Sequence, residues 1–183
     1  MPHRSRSLVL CAALLFAQDE PNLLSPPNGA SFASGPVRVI ARAEGKPEIT
    51  VDGKPIALES PVDGVATANL KLEPGAHVVG FGKESAKVFV GEGAPTEFKP
   101  FRFHPAMASC TSCHAVKNGV WAFQRPSLVT TCGQCHAKEK FPAKHTHEMG
   151  ILADCQICHD PHGSTAAGHL RKQKDVACKQ CHN

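Results

Sequence analysis

The chain has no tyrosine, a single tryptophan and only 5% aromatic residues in its 183 positions. It also lacks any run of one charge: 20 basic and 16 acidic side chains are scattered and leave a formal charge of +4. So mild and dispersed a charge excludes a nucleic-acid partner, which needs Lys and Arg clustered on one face. After the first residues there is no apolar run of the roughly 20 positions that a membrane-spanning helix takes. Beyond residue 100, large apolar side chains are sparse, and neither strand alternation nor long helical stripes are evident. A core made of protein alone would be thin there, so something else must supply buried apolar surface. The hydrophobic share of 42% is that of an ordinary soluble protein. The length has room for one medium domain or two small ones.

What the chain has in excess is nine cysteines and eleven histidines, most of them beyond residue 100. The composition is therefore split along the sequence. At the N-terminus, His3, Arg4 and Arg6 precede the apolar run LVLCAALLFA at 8–17. The run is too short to span a bilayer and has the length of a signal-peptide core, so residues 1–17 are expected to be removed on export. Leu10 is too bulky for the small residue that precedes a lipidated cysteine. Cys11 would then go with the signal, leaving eight cysteines and no transmembrane segment in the exported chain.

Residues 18–92 predict an all-β module. VRVIARA (37–43) and GVATANLKL (64–72) alternate apolar and polar residues in the period-two manner of half-buried strands. EITVDGKPIAL (48–58) places the turn pair Asp52-Gly53 between extended runs, and AHVVGFG and AKVFVG complete the series. Strands at such short intervals, separated by Gly and Pro, predict a sandwich. The stretch resembles bacterial immunoglobulin-like modules, in which a similar DGKP hairpin, a strand opened by glycine and an "L-x-PG-x-H-x-V" strand follow in this order. That resemblance implies a role in spacing, docking or assembly. His77 reads as a packed or surface residue rather than a ligand. GEGAPTEFKP (91–100) carries the Gly and Pro of a linker, assigned to 93–100, and residues 101–183 form the histidine- and cysteine-rich tail.

The tail repeats one pattern four times: CTSCH (110–114), CGQCH (132–136), CQICH (155–159) and CKQCH (178–182), with first cysteines 22, 23 and 23 residues apart. C-x-x-C-H is the attachment signature of c-type haem. Two thiols separated by two residues can each add to a porphyrin vinyl group, and the following histidine is carried beneath the ring to the iron. On this reading Cys110, Cys113, Cys132, Cys135, Cys155, Cys158, Cys178 and Cys181 anchor four covalently bound haems. His114, His136, His159 and His182 are the proximal iron ligands. Zinc ribbons use paired C-x-x-C knuckles but gain nothing from a histidine after each pair. A thiol-disulfide oxidoreductase carries its C-x-x-C in a βαβ setting that is absent here. Structural disulfides suit an exported chain, but they do not call for a histidine at each motif.

The tail is similar to the multihaem c-type cytochromes, and especially to the doubled-CXXCH group. HEMGILADCQICHDPHGSTAAGHLRKQKDVACKQCH (147–182) follows that group's pattern almost throughout. The resemblance implies a loop-rich fold with short helices around the haems, covalent attachment in an exported compartment, electron transfer, and iron held mostly between two histidines. The first motif departs from the pattern, because CTSCHAVKNG has Lys117 where the group places a second histidine. Candidates for the distal ligands are His104, His147, His162 and His169, with His145 competing and Met107 and Met149 as weaker options. His162 lies three residues after His159, too near to reach the far face of the same haem, so it is expected to cross to a neighbouring one.

Filled axial positions leave no iron open to substrate, and about 21 residues per haem crowd the porphyrins into a row suited to electron hopping. The expected role is an electron carrier between redox-protein donors and acceptors, in the periplasm or at the outer surface. Two alternatives differ in class. A homo-oligomer or cytochrome filament would use the β module for docking. A multihaem reductase would need one five-coordinate haem, and the C-x-x-C-K motif of nitrite-reductase-like sites is absent.

Overall fold

The computed structural model describes residues 22–42, 48–105, 109–136 and 154–182. The expected signal segment 1–17 lies outside them, as do His145, His147, Met107 and Met149. The N-terminal part is all-β, as its alternation predicts. Its strands are β1 (Asn22–Ser25), β2 (Ala30–Phe32), β3 (Val37–Arg42), β4 (Ile49–Val51), β5 (Lys54–Pro55), β6 (Glu59–Val62), β7 (Val65–Leu70), β8 (Gly75–Phe81), β9 (Glu84–Val90) and β10 (Lys99–Pro100). They form two sheets, ordered β1-β3-β7-β6 and β10-β2-β9-β8-β4-β5. β2 runs parallel to both β9 and β10, and the other pairings are antiparallel.

Period-two alternation explains the core. In β3, Val37, Val39 and Ala41 are fully buried, whereas Arg42 is exposed. Ile49, Val51, Val79, Phe81, Val88 and Val90 of the other sheet join them in one cluster. Each such aliphatic side chain contributes about 1.5–3 kcal/mol when fully removed from water. The Asp52-Gly53 pair makes the expected turn between β4 and β5, with both φ angles positive at 51° and 77°. His77, in β8, has Asp52 Oδ2 2.8 Å from Nδ1 and the Glu73 carbonyl 2.8 Å from Nε2. Both partners only accept, so both ring nitrogens donate and the ring is an imidazolium.

Residues 93–100, expected as a linker, end in β10, which lies along the edge of β2. Phe98 there packs on Phe89, their ring centres 5.7 Å apart. The chain leaves the sandwich through a triad of rings, with Phe32 5.3 Å from Phe101 and 5.9 Å from Phe103, and those two 4.9 Å apart edge to face.

The tail adds β11 (Arg102–Phe103), β12 (His114–Lys117), β13 (Val120–Phe123) and β14 (Gly163–Ser164). Short helices cover Leu128–Cys132 and Lys174–Cys178, and 3-10 turns cover Cys110–Ser112, Cys155–Ile157 and Ala167–His169. β11 pairs with β14, which seats the third motif's PHGS segment beside the sandwich exit. Gly163 permits this crossing: its φ is 130°, and a Cβ would lie 2.6 Å from both the Arg102 carbonyl and Phe101 Cζ. The hairpin β12–β13 was not expected from alternation. Its turn is Asn118-Gly119, with φ angles of 54° and 79°, the same type I′ geometry as at Asp52-Gly53. Beyond residue 100 the buried apolar side chains, among the described residues, are Ala166 and Ala177. Phe103, Val116, Val129, Ile157 and Val176 are exposed. The thin core expected of the tail is what the structure has.

Candidate functional site

The four C-x-x-C-H motifs share a turn between their two cysteines. In each, the second cysteine's N–H donates to the first cysteine's carbonyl: Cys113 to Cys110, Cys135 to Cys132 and Cys181 to Cys178 at 3.2 Å, and Cys158 to Cys155 likewise. In three of them the histidine N–H donates to that same carbonyl, from His136 and His159 at 2.9 Å and from His182 at 3.0 Å. Positions i, i+3 and i+4 of a helical turn share one face. In those three, both thiols and the imidazole therefore start from the same side of the turn, as attachment along one porphyrin edge and ligation beneath it require.

Local sequence builds each turn. Ser127 caps the helix that leads to Cys132 through a capping box, its Oγ accepting from the Thr130 N–H at 3.2 Å. Asp154 caps the turn at Cys155 by accepting from the Gln156 N–H at 3.0 Å. In the first motif the helical turn stops at Cys113, whose carbonyl accepts from the Gln124 N–H at 2.9 Å, and His114 opens β12 instead. The motif that departs in sequence thus departs in structure. Lys117, where a second histidine was expected, ends β12 and donates from Nζ to the Phe123 carbonyl at 3.0 Å.

The third motif is folded back on itself. Asp160 N–H donates to the His169 carbonyl at 2.7 Å and Arg171 N–H to the Cys158 carbonyl at 2.8 Å, closing a bridge between His159 and Leu170. His159 donates from Nδ1 to the Gly168 carbonyl at 2.8 Å. A carbonyl can only accept, so Nδ1 carries the proton and Nε2 keeps its lone pair for a metal. Asp160 Oδ1 accepts from the His162 N–H at 2.9 Å and lies 3.5 Å from that ring's Nδ1. Burial acts to raise the Asp160 pKa, yet the hydrogen bonds from His162 outweigh it and hold the carboxyl below its ordinary value.

Several candidate ligands come together. His114 and His162 lie with ring centres 6.5 Å apart and planes within 10° of parallel. His104, placed just after β11, has its ring 5.9 Å from that of His136 and 5.4 Å from that of His169. Burial, then neighbouring histidines, holds His104 and His114 below the usual imidazole pKa, and burial first also lowers His169. Neutral imidazole is the form that binds iron. His169 adopts φ 55°, rare for a side-chain-bearing residue, and its Nδ1 is buried with no hydrogen-bond partner among the described residues.

Among the described residues, no two of the eight motif cysteines are joined by a disulfide. Burial, reinforced by Cys155, pushes the Cys132 thiol up to about 11, and burial with Cys135 nearby raises Cys113. Thiols of the second motif thus lie near those of both the first and the third. Arg38 of β3 donates to Cys110 Sγ at 3.3 Å, joining the sandwich to the first motif. Among the described residues no three His, Cys, Asp or Glu side chains converge on one point as a closed metal cage would need. The motif histidines instead stand beside thiol pairs, an arrangement that suits a planar group anchored at its edge.

Sequence reasoning missed the aromatic wall of the first motif. His114 stacks on Trp121 at 4.9 Å and on Phe123 at 5.4 Å, both within 20° of parallel. The signal was present in Asn118-Gly119, a type I′ pair that folds β13 back over His114. It also missed Asp160 and Gly168, which hold His162 and His159 and carry no motif of their own.

Comparison with known proteins agrees with this geometry. Residues 149–183 match the family described as the doubled CXXCH motif. A stretch of 81 residues, 42% of this chain, is 32% identical to the multihaem cytochrome MtrA of Shewanella baltica, of which it covers 24%. The chain thus spans about a quarter of the length of that relative. No solved structure matches it. Motif and relative together make the chain similar to multihaem c-type cytochromes.

Proposed function

We propose that this protein is an exported tetrahaem c-type cytochrome that carries electrons between redox-protein partners. One observation carries the reading: four C-x-x-C-H motifs at a 22–23-residue period, each wound into the same turn that turns both thiols to one side. Each cysteine pair, 110/113, 132/135, 155/158 and 178/181, holds one haem by its vinyl edge. His114, His136, His159 and His182 take the proximal positions. His104, His147, His162 and His169 take the distal ones, with His145 in competition. The orphaned Nδ1 and left-handed backbone of His169 support its place in this set, since such strain gathers at ligand sites.

When bound, the haems supply the one-electron chemistry. The chain's own part is to anchor, orient and insulate. His159 is fixed in one tautomer by Gly168, and His162 is held by Asp160. The exposed apolar side chains Val116, Val129, Ile157 and Val176 offer surface for porphyrin faces to cover. Two-histidine ligation gives lower potentials than a methionine and histidine pair. The N-terminal module is read as an immunoglobulin-like sandwich, a reading that its strand orders β1-β3-β7-β6 and β10-β2-β9-β8-β4-β5 support. It serves to dock or space the cytochrome, in the periplasm or at the outer surface, as the apolar run at 8–17 supports.

The test is the mass and visible spectrum of protein made where haem attachment operates. The expected result is a gain of four haems and a low-spin spectrum that reduces and reoxidises reversibly. A chain mass without added haem would overturn the reading.

A further inference from the structure

We propose that His162 is the distal ligand of the first haem, so that one iron is clamped between His114 of the first motif and His162 of the third. This rests on the haem reading above and deepens it by naming a cross-repeat pair. The expectation from spacing was only that His162 leaves its own haem for a neighbour. The geometry narrows which neighbour.

Two imidazoles on opposite faces of one metal ion have a defined separation. Each nitrogen sits about 2.0 Å from the metal and about 1.2 Å from its own ring centre, which puts the two centres roughly 6.4 Å apart. The His114 and His162 rings are 6.5 Å apart. Their planes are within 10° of parallel, an orientation open to two rings that both stand upright on a porphyrin. His104 and His136 at 5.9 Å and 48° and His104 and His169 at 5.4 Å and 61° fit this spacing less well.

The supports of each ring agree with that assignment. His114 has one region taken by the stacked Trp121 and Phe123. His162 has its Nδ1 side taken by Asp160 at 3.5 Å and its N–H bonded to the same carboxylate. The opposite nitrogen, Nε2, is the one left for iron. The seam between β11 and β14 holds the loop that carries His162, through Gly163, on the Arg102–Phe103 strand.

The experiment uses the purified haem-loaded protein and reads haem count by mass and spin state by electron paramagnetic resonance. His162→Ala should keep all four haems and convert one of them from low to high spin, with added imidazole restoring it. His162→Met, which keeps a ligand, should move one haem's potential upward and leave the other three in place. The iron is then identified in Cys110→Ala/Cys113→Ala, which lacks the first haem. In that background His162→Ala should leave the three remaining haems low-spin. Four haems that all stay low-spin in His162→Ala, unshifted potentials in His162→Met, or a new high-spin haem in the three-haem background would each overturn the pairing. Absence of haem from the unmutated chain would instead overturn the reading beneath it.

Discussion

The two halves of the molecule are held by different means. The sandwich closes thirteen buried apolar side chains into one cluster, from Ala30 to Val90. The tail, of similar length, buries two alanines among its described residues and turns Val116, Val129, Ile157 and Val176 outward. Its order comes from local backbone bonds, four turns at the cysteine motifs and two small two-stranded pairings. A domain that cannot bury enough apolar surface needs a metal, a cross-link or a cofactor to be stable. One half is therefore a fold that stands on its own side chains, and the other is a frame for a prosthetic group.

The largest effect should come from withholding that group. Protein with its eight motif cysteines changed to alanine, or made without haem attachment, should keep protected amides in β2, β3, β7, β8 and β9. Its residues 109–182 should exchange with little protection. Hydrogen exchange with mass readout checks this, and a protected haem-free tail would erase the contrast.

A cut in the sandwich should give the reverse. Ile49 is fully buried, and Ile49→Ala should cost about 2–5 kcal/mol through lost burial and the cavity left behind. Denaturant unfolding followed in the sandwich should shift to lower midpoint while the haem spectrum of the folded protein stays as it was. A spectrum that changes with the core would mean that the halves are one cooperative unit.

The smallest effect is a pH dependence confined to the sandwich. The hydrogen bond to Asp52 raises the His77 pKa above its usual 6.5, with burial opposing it. A raised folded value means that the proton stabilises the fold. That stability is complete below 6.5 and is lost as pH climbs through the raised value. The melting temperature of the sandwich should therefore fall over that climb, and His77→Gln should flatten the dependence. An unchanged slope in the variant would remove His77 from the account.

The sequence was legible where one residue type has one physical job. Alternation marked β3, β7, β8 and β9, and Asp52-Gly53 marked its hairpin, because side-chain period and positive φ are local properties. The C-x-x-C-H spacing carried the shared face of the last three motifs, since i, i+3 and i+4 need only one turn. What stayed hidden was long-range. β2 and β10 are too short to alternate, and the parallel pairing of β2 with β9 joins segments nearly sixty residues apart. The meeting of His114 with His162 depends on the β11–β14 crossing, which two short strands and one glycine make possible. The Asn118-Gly119 hairpin, by contrast, was written plainly and is a matter of reading four residues on either side of it.

The crossing at Gly163 has a bearing on how such a chain can grow. β11 and β14 enclose about sixty residues that hold the first three motifs. Closing a loop costs entropy only with the logarithm of its length, so one more repeat of 23 residues inside it would add roughly 0.3 kcal/mol. The strands that form the crossing do not register what they enclose. An ancestral duplication could lengthen the enclosed stretch and leave both the sandwich exit and the final motif where they are. The number of motifs is the part of this architecture under least constraint.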